Sequence, residues 1–181
     1  MDLYILFKFL HVLTALAWVG GGLTLIAGQA LAESAEGETA LFKILDLMNV
    51  LGKTWFVPTS FLTVVFGAIA ATLGGMWGQF WVILGLAGFA STFFTGLLVI
   101  EPTGRRLGAL VAEGRTDEAI AQGRQLMRIS RFDYTVMFVV VLDMVFKPGW
   151  TDFLTIAVMA LIVAAGAVVF LGLRQRQPAA A

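Results

Sequence analysis

The stretch from Leu3 to Leu31 reads LYILFKFLHVLTALAWVGGGLTLIAGQAL, and only Lys8 and His11 break its apolar run. About 20 mostly apolar residues suffice for a helix to cross a hydrocarbon core ~30 Å thick. The stretch is therefore read as a membrane span. The rest of the chain agrees with it. Of 181 residues, 59% are hydrophobic and 13% charged, against roughly 45–50% and about 25% in soluble domains. Mean hydropathy is +0.90. A fold this small has too much surface for its volume to hide so much apolar area from water. A soluble enzyme and a nucleic-acid binder are thereby excluded. Lys+Arg and Asp+Glu both number 12, so no net basic field exists to draw nucleic acid. There is no cysteine and one histidine, which removes disulfides, thiolate chemistry and any multi-histidine metal site within one chain.

Four further spans are expected: Thr54–Leu73, with Pro58 in its first turn, Phe80–Ile100, Tyr134–Phe146 and Phe153–Leu173. The fourth is short, contains Asp143 and stops at Lys147-Pro148-Gly149; a helix entering from the preceding polar segment supplies its missing length. The fold class is thus an all-α polytopic membrane bundle of five transmembrane helices, a single domain over residues 1–174 with a disordered tail at 175–181. Ala30-Leu31-Ala32 resembles a leader cleavage site, but the start is not basic and the apolar run is too long for a signal peptide.

Orientation follows from the basic residues. Lys43, Lys53, Arg105, Arg106, Arg115, Arg124, Arg128, Arg131, Arg174 and Arg176 fall on one side of a five-span layout, and Lys147 on the other. The positive-inside rule puts the N-terminus outside and the C-terminus in the cytoplasm of a bacterial inner membrane. Trp55, Trp77, Trp81 and Trp150 then sit at the interfaces as anchors, and Trp18 lies deep in its span.

The cytoplasmic segments read as amphipathic helices. Leu41, Leu45 and Met48 recur at helical spacing. Gly114 marks a stop and Thr116 is an N-cap candidate, followed by Asp117 and Glu118. One long helix is expected from about Asp117 to Phe146. Close helix packing is expected at Gly20, Gly21 and Gly22, at Gly85, Gly88 and Gly96, and at Ala160, Ala164, Ala167 and Gly172.

Ionisable groups inside a span are costly and default to function. Tyr4, Lys8, His11, Ala15, Trp18 and Gly22 follow steps of four and three, one stripe expected to face the interior. His11 falls roughly 12 Å below the start of its helix. Asp143 lies four residues before Lys147, at similar depth, so an ion pair between Lys8 and Asp143 is expected if their helices touch. His11 has two readings: a structural hydrogen-bonding residue, or an axial ligand to haem iron. In the second, Met144 or Met137 fills the sixth position, or another chain does, Lys8 meets a propionate or Asp143, and Trp18 packs beside the ring.

The segment Phe7 to Gly21 and the Phe146-Lys147-Pro148 stop resemble a bacterial family known as predicted integral membrane proteins of unknown function. The opening is also distantly similar to HemJ-type protoporphyrinogen oxidases and CopD-type membrane proteins. The HemJ resemblance implies that His11 holds a haem, with Lys8 and Trp18 matching too. The chain departs from that pattern after the tryptophan, where Leu25-Ile26-Ala27-Gly28 stands in place of a Pro-Arg pair, and it lacks a lysine in the third span.

Three functions are carried forward. The first is a haem b-binding redox protein using His11. The second is a small transporter or channel for a metal or proton, with Lys8, His11 and Asp143 as a relay. The third is a non-catalytic subunit or assembly partner of a larger membrane complex, or a homo-oligomer. Hydrolase and phosphate-loop chemistry lack the residues they need.

Overall fold

A computed structural model describes residues 2–34 and 38–172. The expected disordered tail, 175–181, and Arg174 and Arg176 lie outside the described residues, as does the side chain of Leu41. The described chain is helical, without strands: α1 (Leu3–Ser34), α2 (Glu38–Leu51), α3 (Val57–Leu73), α4 (Phe80–Thr95), α5 (Glu101–Ala112), α6 (Thr116–Phe146) and α7 (Phe153–Ala167).

Four helical runs are long and apolar enough to cross a membrane: Leu3–Leu31, Phe42–Leu73, Phe80–Ala112 and Phe153–Gly172. α6 is not among them, although it has 31 residues. Its Arg128, Arg131, Asp133 and Asp143 leave no charge-poor stretch of sufficient length. Nevertheless α6 is the central helix. It packs on α1, α2, α4, α5 and α7, and α1 packs chiefly on α3.

The expected amphipathic segments are helices, but they are not separate from the spans. α2 runs into α3 through a π-helical turn at Gly52–Phe56, and α4 into α5 through another at Gly96–Ile100. Each widened turn ends two residues before a proline, Pro58 and Pro102. Proline lacks an N–H and its ring crowds the carbonyl one turn earlier. A π-turn shifts that carbonyl away and lets the helix continue. A third widened turn, Val168–Gly172, extends α7, and its carbonyls at Phe170 and Leu171 accept from Arg128 Nε (2.8 Å) and Nη2 (3.4 Å).

At this end of the bundle α2, α5, the first half of α6 and the end of α1 share a core of Leu25, Ile44, Leu45, Leu107, Leu110, Ala119, Leu126 and Met127. The amphipathic faces therefore cover one another. α6 starts at Thr116, but no side chain caps it; Arg115 is the residue before the first turn. Gly114 turns the chain with φ +70°. At the other end α6 stops at Phe146, where Lys147 takes a left-handed conformation (φ 48°) and its N–H bonds the Asp143 carbonyl at 2.8 Å.

The close packing uses some of the expected small residues and replaces others. Gly21 admits the Trp55 indole, whose Nε1 donates to the Ala17 carbonyl at 3.0 Å. Trp55 is thus a helix–helix contact as well as a half-exposed aromatic. Gly22 faces Tyr134 and Met137, Gly85 faces Met144 and Gly88 faces Val140, whereas Gly20 and Gly96 face open space. On α7 the contact is made by Gly166 against Thr135; Ala160 and Ala164 are exposed.

Candidate functional site

The His11 side chain is fixed by α3. Its Nδ1 lies 2.7 Å from the Thr63 carbonyl oxygen. A carbonyl can only accept, so Nδ1 carries the proton and donates it. In the neutral ring Nε2 is then the lone-pair nitrogen, and it has no hydrogen-bond partner among the described residues. The close approach depends on Gly67. A Cβ there would stand 2.7 Å from Nδ1 and 2.9 Å from Cε1 of the imidazole. Any larger residue would push the ring off the α3 backbone. Thr14, on the flank, donates instead to Leu10 and His11 carbonyls of its own helix.

His11 lines a half-open cavity of about 370 Å³ between α1, α3, α4 and α6. That is within the ~300–1,000 Å³ range of cofactor and small-molecule sites. Tyr4, Lys8, Ala15 and Trp18 of the α1 stripe line it, as do Met137 and Met144 of α6. Trp18, 9% exposed, forms its floor and meets Phe89 edge to face at 5.7 Å between ring centroids. Gly85 makes room for the Met144 methyl group.

The electrostatics of this cavity are one-sided. Lys8 and Lys147 line it, and no aspartate or glutamate does. Lys8 Nζ lies 5.8 Å from the Tyr4 ring centroid and Lys147 Nζ 5.2 Å from that of Trp81. Both ammonium groups are exposed rim charges held over aromatic faces. Lys147, expected as the helix stop and as the basic residue of the outer side, is also a rim cation, its backbone left-handed (φ 48°) and its Nζ beside Trp81.

The expected ion pair does not form. No salt bridge joins Lys8 to Asp143, which is 1% exposed and has no hydrogen-bond partner for either carboxyl oxygen among the described residues. The depth argument fixes height along a helix but not direction around it. Asp143 turns toward α4, its Oδ2 3.0 Å from where a Gly85 Cβ would stand, while Lys8 is exposed at the cavity rim. Asp143 lines no cavity with His11 or Lys8.

A second cavity, of about 460 Å³, lies at the α2–α5 end. Trp18, Phe89 and Met137 line both cavities. They form a thin apolar septum across the bundle. Sequence reading missed this second space, because its walls come from six helices and no single segment carries its pattern.

Among the described residues no three His, Asp or Glu side chains cluster as ligands for a bare metal ion. No protein-family model, curated protein or solved structure matches the chain.

Proposed function

We propose that this is a haem b-binding redox protein of the membrane, with His11 as axial ligand. The observation that carries the reading is the Nδ1–H bond from His11 to the Thr63 carbonyl, beside Gly67, at the wall of the cavity. Histidine ligands usually donate their other ring nitrogen to a carbonyl or carboxylate, which fixes tautomer and ring angle and raises ligand basicity. A single imidazole with no neighbouring carboxylate suits an iron already held by a porphyrin better than a free ion.

The rest of the lining suits the same group. The walls are apolar and aromatic, and the two rim cations, Lys8 and Lys147, match the two propionates of haem b. Met144 and Met137, which also line the cavity, would bring thioethers able to ligate the iron. Haem bound there would supply one-electron chemistry. The chain's own part is to orient the imidazole through Thr63, neutralise the propionates at the rim and exclude water with Trp18 and Phe89.

We also propose that the second half of α6 crosses the membrane, giving five spans with the N-terminus outside. The burial of Met137, Val139 and Asp143 within the bundle supports that placement. The relay reading has less behind it, since Asp143 lies outside the His11 cavity. Protein purified gently from haem-replete cells tests the proposal. It is expected to show the visible band of a haem protein, lost in His11→Ala; a colourless wild-type preparation would overturn it.

A further inference from the structure

The second cavity follows one half of the membrane. At one end lies the septum of Trp18, Phe89 and Met137, and from Phe89 the lining continues along α4 and its extension to Gly104. Levels can be read from the two apolar helical runs that meet at this wall. From Leu73 back to Lys53, and from Phe80 on to Glu101, each run rises roughly 30 Å at ~1.5 Å per residue. That is about the thickness of the hydrocarbon core. Lys53 and Glu101 therefore stand at one headgroup level, and both line the cavity. Phe89 lies roughly 14 Å along its run from Phe80, near mid-membrane. The cavity thus has the reach of one acyl layer, about half of the ~30 Å core.

Its two ends differ in chemistry. At the headgroup end Lys53 is exposed and forms no ion pair among the described residues, whereas Glu101 is held by Arg105 at 3.4 Å. The mouth is left with one unneutralised cation. Further in, Ser60, Thr92 and Ser130 donate their hydroxyls to carbonyls of their own helices. The Trp18 indole, the Tyr134 phenol and the Asp133 carboxyl are the other polar groups of a lining that is otherwise aliphatic, aromatic or glycine. The volume of about 460 Å³ is left open by small residues: nothing lies within 4 Å of where the Cβ atoms of Gly52, Gly96 and Gly104 would be.

We propose that this cavity is a phospholipid site, in which one acyl chain lies along the walls toward the septum and the lipid phosphate meets the Lys53 ammonium at the mouth. Inside a membrane the hydrophobic effect does not favour one apolar contact over another. Two other terms do the selecting. An apolar space left empty forfeits the dispersion contacts of its walls, and a hydrocarbon chain restores them. A phosphate gives the lone cation a partner at the level where headgroups lie. The cavity is half-open, so the second chain can stay in the bilayer.

The test is native mass spectrometry of the full chain in mild detergent, titrated with phosphatidylglycerol, with the diacylglycerol of the same chains and with the matching free fatty acid. Phosphatidylglycerol is expected to bind at one per chain, about fivefold more tightly than diacylglycerol. Lys53→Gln is expected to bring that ratio toward one, whereas Lys43→Gln, at an exposed lysine that lines neither cavity, leaves it unchanged. Both lipids are measured on one preparation, so a folding defect lowers both and leaves the ratio readable. Gly96→Leu puts a side chain into the open volume and is expected to weaken both lipids about tenfold. Gly20→Leu, the same change at an open glycine that lines neither cavity, is expected to weaken neither. The proposal stands on the cavity and its two spans, not on His11; a colourless protein that binds the lipid normally would sink the haem reading and leave this one. Equal binding of phosphatidylglycerol and diacylglycerol, tighter binding of the fatty acid, no bound lipid, a ratio lost as fully in Lys43→Gln as in Lys53→Gln, or wild-type binding by Gly96→Leu would each overturn it.

Discussion

His11 and Thr63 lie on different helices, 52 residues apart, and are joined by one hydrogen bond of 2.7 Å from ring Nδ1 to a main-chain carbonyl. That bond decides which imidazole nitrogen is left for chemistry. It depends on Gly67, four residues further along α3 from Thr63, having no side chain.

Gly67→Val is accordingly expected to displace the imidazole. Its Cβ cannot share space with Nδ1 at 2.7 Å, and overpacking of this kind costs about 1–3 kcal/mol. Haem affinity should fall with stability, whereas Gly20→Ala, at a glycine with open space around it, should change neither. Thermal unfolding and haem absorbance of the two variants check this.

Trp18→Ala removes the floor common to both cavities. Truncating a buried tryptophan typically costs about 3–5 kcal/mol. Trp18→Phe should retain most of the stability by keeping an aromatic face toward Phe89. Chemical denaturation monitored by circular dichroism in mild detergent would show the order wild type, Phe, Ala; an alanine variant as stable as wild type would contradict the septum.

Lys8 and Asp143 are expected to be energetically independent, since they do not touch. In a double-mutant cycle of Lys8→Met and Asp143→Asn the coupling should lie within about 0.5 kcal/mol. Asp143→Leu should be neutral or stabilising, by up to about 2 kcal/mol, because it removes buried oxygens that have no partner. A large favourable coupling would mean that the two groups pair.

The chain has no cysteine, so single cysteines report topology directly. In the five-span arrangement Gln79→Cys and Thr151→Cys, at exposed loop positions, react with an impermeant maleimide from outside the cell, and Glu113→Cys does not. Reaction of Thr151→Cys only after the membrane is broken, with Gln79→Cys still reactive in intact cells, would show that α6 does not cross.

The α1 stripe was legible because helical spacing is a local property: Tyr4, Lys8, His11, Ala15 and Trp18 all meet one cavity. The long α6 and its stop at Lys147 were legible for the same reason. What was hidden depends on geometry between helices. The mismatch of Lys8 with Asp143 is a matter of direction around the helix axis. The continuity of α2 with α3 hangs on a one-residue widening before Pro58, where sequence alone suggests a break. The choice of Gly166 over Ala160 and Ala164 on α7 is set by where Thr135 of α6 happens to press.

The most direct test of the central claim is a titration of cofactor-depleted protein with haem b, followed by visible absorbance. Wild type is predicted to saturate at one haem per chain with a spectrum of histidine-ligated iron, and His11→Ala to show only weak, unsaturable uptake. Identical titrations for the two proteins would contradict it.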